Sequence, residues 1–496
     1  MIVSDYLSNV FTFAQYLAIQ RHNSTYMKHS SRLIVLFCFA VQLVFSQTTV
    51  EQLIKNPLLE NANISLLVRN LKTGETLYEL SPNKATVTAS TMKVITTATF
   101  LEMYGPDFRF ETRLEIDGRI EKDSTLNGNL YIRGGGDPTL GSAKVGDKDF
   151  LEKWVEAVKK AGIKNINGGV IADPGLFDQQ VINPKWTWED MGNYYAPGIH
   201  GISYLDNTYQ LFFNSGKAGK LTEIIRTEPV IKGLVIDNFV KSANINFDNA
   251  YFYGAPFSYH RFVTGEIPAN KSEFVVKGDI PEPALLLAQH FSEKLIASGA
   301  VIADSPAVKS NISCRKFSIY THLSAPLSEV ITETNIKSNN HYAEYLFKYI
   351  ATRTQEIGTF EEAIQNIRAF WKSKGLPVDE LFQADGSGLS PVNAVSARFF
   401  VELLTYMQTK SKYADVFYKS LPVSGESGTL KSFLDKTSLQ GKVHAKSGTI
   451  ARVKSYVGYI ECPDKTLVFA LLINNGNGTS REVTKKIEDI LLQVSK

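Results

Sequence analysis

Cysteine is scarce, three residues in a chain of 496. That is too few for a disulfide scaffold, and no C-x-x-C pair offers half of a zinc site. Proline and glycine are modest, at 18 and 34 residues, which excludes collagen-like and mucin-like chains and broad disorder. A charge of one sign is missing too. The formal net charge is only +3 and the basic residues are scattered, so no nucleic-acid partner is expected. Eight histidines form no H-E-x-x-H or similar helical pair, so no metal is expected. There is no G-x-S-x-G elbow, and SGESGT at residues 424–429 has the wrong spacing for one. No Walker loop or G-x-G-x-x-G follows a strand, so no nucleotide or other cofactor is expected.

What is present is an ordinary globular composition, 44% hydrophobic and 21% charged. The length allows roughly two to four domains around sizeable cores. One apolar run stands apart, LIVLFCFAVQLVF at 33–45, preceded by Lys28 and Arg32 and followed by Ser46-Gln47. A basic flank, a short apolar stretch and a small residue describe a secretory signal peptide. The run is short of the about 20 residues a membrane-spanning helix needs, and an uncleaved anchor is the competing reading. Bulky Phe37 before Cys38 argues against a lipoprotein site. Met27-Lys28 makes a normal start, so 27–46 reads as the signal peptide and 1–26 as an upstream extension. Export to the periplasm or cell envelope follows, with room for peripheral membrane association. Cys314 and Cys462 would then pair or stay as free thiols.

Along the remaining chain, residues 64–80 alternate around a glycine-bearing turn and predict a β-hairpin. TASTMKVITTATFLEMYG predicts a helix stopped at Gly105, and 108–132 reads as strands with turns at Asp117-Gly118 and Asn127-Gly128. A helix at 149–160, a strand near 170–172, a β-rich stretch over 200–280 and helices at 283–297, 326–353 and 359–374 follow. Strands at 442–446, 453–460 and 466–473 and a helix at 481–492 close the chain. The expected fold is mixed α/β, one domain whose sheet is completed by both chain ends, with other domains inserted.

Three short motifs carry the chemistry, in order. Ser90-Thr91-Met92-Lys93 is S-x-x-K, Ser338-Asn339-Asn340 is S-x-N, and Lys446-Ser447-Gly448 is K-[ST]-G. Each recurs elsewhere: S-x-x-K at Ser81 and Ser313, S-x-N at Ser242, K-T-G at Lys72. Context separates them. Ser81 sits in a proline-bearing turn and Lys72 in the hairpin loop, whereas Ser90 opens a helix with Lys93 on the same face one turn later. Lys446 is expected to end a strand, with Gly448 letting a substrate backbone come close.

A serine hydroxyl is a weak nucleophile unless a base takes its proton, and a neutral lysine can do so. Lys446 nearby would disfavour a second positive charge and help keep Lys93 neutral. Ser338 can relay the proton to the leaving amine, and Asn340 can bind the substrate amide. Ser447 and Thr449 offer hydroxyls for a terminal carboxylate. The backbone N–H groups of Ser90 and Thr449 suit an oxyanion hole, Ser90 aided by its helix start.

With these motifs the sequence resembles the serine penicillin-recognising enzymes. It is most similar to the class C low-molecular-mass penicillin-binding proteins, D-alanyl-D-alanine carboxypeptidases and endopeptidases with a large insert between the first two motifs. ASTMKVIT, GPDFRF at 105–110, GGGDPTL at 134–140, WTWEDM at 186–191 and ADGSGLS at 384–390 also look like that branch. The resemblance implies a transpeptidase/β-lactamase-like catalytic domain from residues 48–105 and 318–496. It further implies a nested pair of β-rich inserted domains, one of 106–199 and 272–317, the other of 200–271. It implies acylation of Ser90 by a D-Ala-D-Ala stem peptide of peptidoglycan, release of D-alanine, hydrolysis of the acyl-enzyme, and β-lactams as covalent inhibitors. Asp190, in WTWEDM, matches the position where an insert aspartate meets a stem-peptide amine; capping a helix near Met191 is the alternative. One departure is plain. Pro391 follows Ser390 where the family often has an arginine for a stem carboxylate, so third-position preference does not carry over. A β-lactamase would be a far shorter chain, and a silent wall-binding protein would have lost a motif residue, which this chain has not.

Overall fold

The computed structural model describes residues 50–310 and 316–496. The proposed signal peptide and extension, Cys38, Ser313 and Cys314 lie outside the described residues. The chain divides into two units, 1–56 with Lys496, and 57–495. The described part of the first is helical over 50–54. The second contains all the elements that follow.

The expected hairpin is present, Asn63–Asn70 paired antiparallel with Thr76–Leu80. Asn63–Asn70 also pairs along its whole length with Thr466–Asn474, from Asn63 opposite Asn474 to Asn70 opposite Leu467. Val453–Glu461 and then Val443–Ile450 complete a five-stranded antiparallel sheet. Both chain ends therefore build one sheet, as the pattern predicted. TLVFALLIN is almost continuously apolar because the middle of this sheet is covered, and Leu467 to Ile473 are inaccessible to solvent. Ser480–Val494, started by a Thr479/Glu482 capping box, packs on Val453–Glu461. Ala397–Thr409 packs on Thr466–Asn474.

The helix Met92–Tyr104 is buried from Met92 to Leu101. It is surrounded by Leu327–Ile336, Asn340–Ile350 and Phe360–Ser373, so its threonines need internal partners. They have them: Thr96 donates to the Gly386 carbonyl and Thr99 accepts from the Trp371 indole, both at 2.7 Å.

Between Tyr104 and Leu327 the chain leaves this domain. A five-stranded sheet runs Ala307–Val308, Val170–Asp173, Leu130–Arg133, Glu111–Ile116, Phe317–Leu323. Nested within it in sequence are two three-stranded sheets drawn from residues between Thr208 and Asp279. Two expected segment edges fall among paired strands. Phe317–Leu323 pairs with Glu111–Ile116, and Phe274–Asp279 pairs with Thr208–Asn214. One apolar cluster, including Trp154, Phe291, Leu211, Phe252 and Val263, lies between these sheets. Such long-range pairing leaves no local mark in the sequence.

Candidate active site

The three motifs converge. Ser90 lies in the single turn Ala89–Thr91 that leads into Met92–Tyr104, and Ala89 takes a positive φ of 46° to make the entry. One turn on, Lys93 is fully buried, and its Nζ donates to Ser90 Oγ at 3.0 Å. The same ammonium donates to Asn340 Oδ1 and to the Ser387 carbonyl, both at 2.6 Å. Asn340 is the first residue of Asn340–Ile350, a helix capped by the Asn339 side chain. Ser338 precedes it with a φ of 58°, a conformation unusual for a residue with a Cβ. That bend brings Ser338 Oγ to 3.0 Å from Lys446 Nζ.

Lys446 does not end a strand: Val443–Ile450 continues four residues beyond it. Its side chain is buried, and its Nζ also donates to the Ser447 carbonyl at 2.7 Å. Gly448 is required by the protein itself. A Cβ there would lie 2.3 Å from Ser455 Oγ, 2.6 Å from the Thr88 carbonyl and 2.9 Å from Ser90 N. The missing side chain thus lets the motif strand lie against the turn that carries Ser90. Ser447 Oγ donates to Thr429 at 2.8 Å, and Lys454 donates to Thr449 Oγ1 at 2.9 Å.

Burial is the main reason Lys93 loses its proton readily, its pKa falling from 10.5 to about 7. The buried carboxylates Asp385 and Glu344 oppose that fall. Lys446 is held well below the ordinary lysine value as well, by burial first and by the neighbouring Lys93 charge second.

Two residues without a motif assignment shape this environment. Glu344 is fully buried and accepts from the N–H groups of Gly386 at 3.1 Å and Ser387 at 2.7 Å, fixing the carbonyl that Lys93 uses. Asp385 accepts from Gly388 N, Ser390 N, Trp186 Nε1 and Asn393 Nδ2. Burial raises both carboxyls, Glu344 to about 8. With four donors Asp385 is better suited to hold the charge, and Glu344 the proton. ADGSGLS marked Asp385 as part of the resemblance but gave it no role; Glu344 had no signal, because its partners are backbone groups more than forty positions away.

The stretch 187–195 contributes one wall. Asn340 Nδ2 donates to the Tyr195 carbonyl at 2.9 Å. An open cleft is lined by Ser90, Asn340, Thr449, Asp190, Tyr195 and Pro391. No helix starts at Met191. Asp190 Oδ2 instead accepts from Thr187 Oγ1 at 2.6 Å and Thr187 N at 3.2 Å, which holds the carboxylate at the cleft. Cys462 is a free thiol donating to the Ser495 carbonyl. Among the described residues no cluster of side chains could hold a metal, and no helix is long and apolar enough to cross a membrane.

A serine held on a buried, readily neutral lysine, with a second lysine–serine pair beside it, suits acyl transfer through the serine. Residues 46–495 match the model of the D-Ala-D-Ala carboxypeptidase 3 (S13) family. The chain belongs to that family. It is a serine-type D-Ala-D-Ala carboxypeptidase of the class C penicillin-binding branch. A D-alanyl-D-alanine carboxypeptidase of Actinomadura sp. (strain R39) is 29% identical over 86% of this chain and 80% of its own length. The D-alanyl-D-alanine carboxypeptidase DacB of Haemophilus influenzae is 22% identical over 92% of this chain and 96% of its own. The crystal structure of penicillin binding protein 4 (dacB) from H. influenzae covers 90% of this S13 carboxypeptidase and 99% of that chain, with a TM-score of 0.76. At 22% identity that match establishes the shared mixed α/β fold.

Proposed function

We propose that Ser90 is the residue acylated by peptidoglycan stem peptides ending in D-Ala-D-Ala. The observation that carries this is the 3.0 Å contact between Ser90 Oγ and a buried Lys93 whose pKa is about 7. Neutral Lys93 takes the Ser90 proton as Oγ bonds to the carbonyl carbon of the penultimate D-alanine. The N–H groups of Ser90 and Thr449 hold the resulting oxyanion. The C–N bond then breaks, the proton reaches the leaving amine through Ser338 beside Lys446, and D-alanine departs. Water hydrolyses the ester, returning the Ser90 hydroxyl. Asn340 binds the peptide amide, and Ser447, Gly448 and Thr449 form the edge on which the terminal carboxylate rests. Asp190 meets a side-chain amine of the stem.

The same serine would be acylated by β-lactams. Penicillin binding protein 4 of H. influenzae has been crystallised with a β-lactam, and a relative in Dictyostelium discoideum is named a penicillin-sensitive carboxypeptidase. Cleavage of D-alanyl cross-links, export to the periplasm or cell envelope and the division into a catalytic domain with two nested inserts belong to this reading. Incubation of the protein with uncross-linked and cross-linked muropeptides, with products identified by mass, tests it. Loss of one alanine from pentapeptide stems is expected, and no change in either substrate would overturn it.

A further inference from the structure

The inner insert carries a three-stranded sheet, Val235–Ala243, His260–Pro268 and Asn249–Tyr253 in that order. Strand periodicity divides its side chains between two faces. One face is core: Val240, Val263, Ile267 and Phe252 are inaccessible. The other should be polar, since it meets solvent. It is instead aromatic. Phe239, Tyr251 and Phe262 are exposed, and the register puts Phe262 opposite Tyr253 and Thr264 opposite both Phe239 and Tyr251. Tyr253 and Phe262 stack with centroids 4.8 Å apart and planes 7° from parallel. Trp188, 53% exposed, continues the row 6.2 Å from Tyr253.

This face is continuous with the cleft, because Tyr251 and Tyr253 line the cleft together with Asp190. The connection is braced. Asn193, just after the loop of Trp188 and Asp190, accepts from Phe252 N at 2.9 Å and donates to the Phe252 carbonyl at 3.1 Å. The rim is polar, with an Asp237–His260 pair at one end and Lys241 opposite Glu266 at the other. A row of exposed aromatic side chains with hydrogen-bonding groups along its edges does not suit a lipid or a purely apolar helix. It suits a saccharide, whose pyranose rings offer flat C–H faces to aromatic rings and hydroxyls to a polar rim. Stem peptides hang from an amino-sugar polymer, so a peptide entering at Asp190 brings a sugar strand along with it.

We propose that the aromatic face of Trp188, Tyr253, Phe262, Tyr251 and Phe239 binds the amino-sugar strand that bears the stem peptide. The inference rests on the proposed peptidoglycan substrate, and holds the polymer while the cleft works on its peptide. It makes the enzyme prefer glycan-linked over free stem peptides.

The test compares D-alanine release from one stem pentapeptide, free and carrying a short glycan strand. The wild type is compared with Trp188→Ala, Phe239→Ala and Phe262→Ala, none of which lines the cleft. Each variant should raise KM for the glycan-linked substrate by about two- to tenfold, the scale of one aromatic stacking contact, and leave the free peptide unchanged. Equal loss on both substrates, or no loss on either, would overturn the proposal. If neither substrate is cleaved by the wild type, the proposed function has failed instead. A second readout does not need turnover. Trp188 is the exposed one among the chain's four tryptophans, since Trp154, Trp186 and Trp371 are buried. Peptide-free glycan strands should shield it from iodide quenching, and unchanged quenching at saturating glycan would count against the site.

Discussion

Lys93 sets a measurable pH threshold. An ordinary lysine would be neutral in roughly three of ten thousand molecules at pH 7. With a pKa lowered from 10.5 to about 7, half of the Lys93 side chains are neutral at that pH. At about 1.4 kcal/mol per unit, the net preference for the neutral amine is about 5 kcal/mol, burial outweighing the opposing carboxylates. Stopped-flow acylation by a fluorescent penicillin isolates the step from deacylation. The acylation rate constant should rise with pH to a plateau above about 8, with its midpoint near 7 and a value at pH 5 about a hundredfold below the plateau. Lys93→Met should remove acylation by at least about a thousandfold at every pH. Stability should respond with the opposite economy. Between about 7 and 10.5 the unfolded chain holds a proton that folded Lys93 lacks, so stability rises with pH across that window. Lys446, also depressed, adds a slope of the same sign, so the Lys93→Met variant should show a shallower slope and not a flat one. A rate profile flat from pH 5 to 8, or a midpoint near 10, would refute the reasoning.

Asp190→Asn should slow cleavage of stem peptides with a free side-chain amine by about tenfold to a hundredfold and spare the acetylated peptide, since one charge-assisted hydrogen bond is lost; equal effects on both peptides would reject that role. Gly448→Ala should cut acylation at least about tenfold, because its Cβ would press on the Thr88 carbonyl and Ser90 N, and binding kinetics with penicillin would show it. Glu344→Gln should lower stability by about 1–3 kcal/mol in denaturant titrations, because one of two buried N–H groups loses its acceptor.

The fold was legible wherever one local rule dominated. Alternation exposed the hairpin Asn63–Asn70 and Thr76–Leu80, and Pro283–Ala297 declared itself through a proline at its start and an apolar run. Ser90 and Lys93 were legible because a helix brings positions three apart onto one face. Ala397–Thr409 carries its signal too, with Ser396 capping and Phe399, Phe400, Leu403, Leu404 and Met407 at helical spacing. The long-range strand pairing was not legible, since Phe317–Leu323 finds Glu111–Ile116 across some two hundred residues. Nor was Glu344, whose contribution is a carboxylate offered to two distant backbone N–H groups. The weight of burial on Lys93 was not legible either, because its depth depends on helices that pack around it from distant parts of the chain.

The central claim is that Ser90, activated by Lys93, carries the acyl group. Digestion of the penicillin-treated protein and mapping of the adduct by tandem mass spectrometry tests it most directly. The penicilloyl group should be found on Ser90, at one equivalent per chain, and should vanish in Ser90→Ala. An adduct on Ser81 or any other serine, or persistence of labelling in Ser90→Ala, would contradict it.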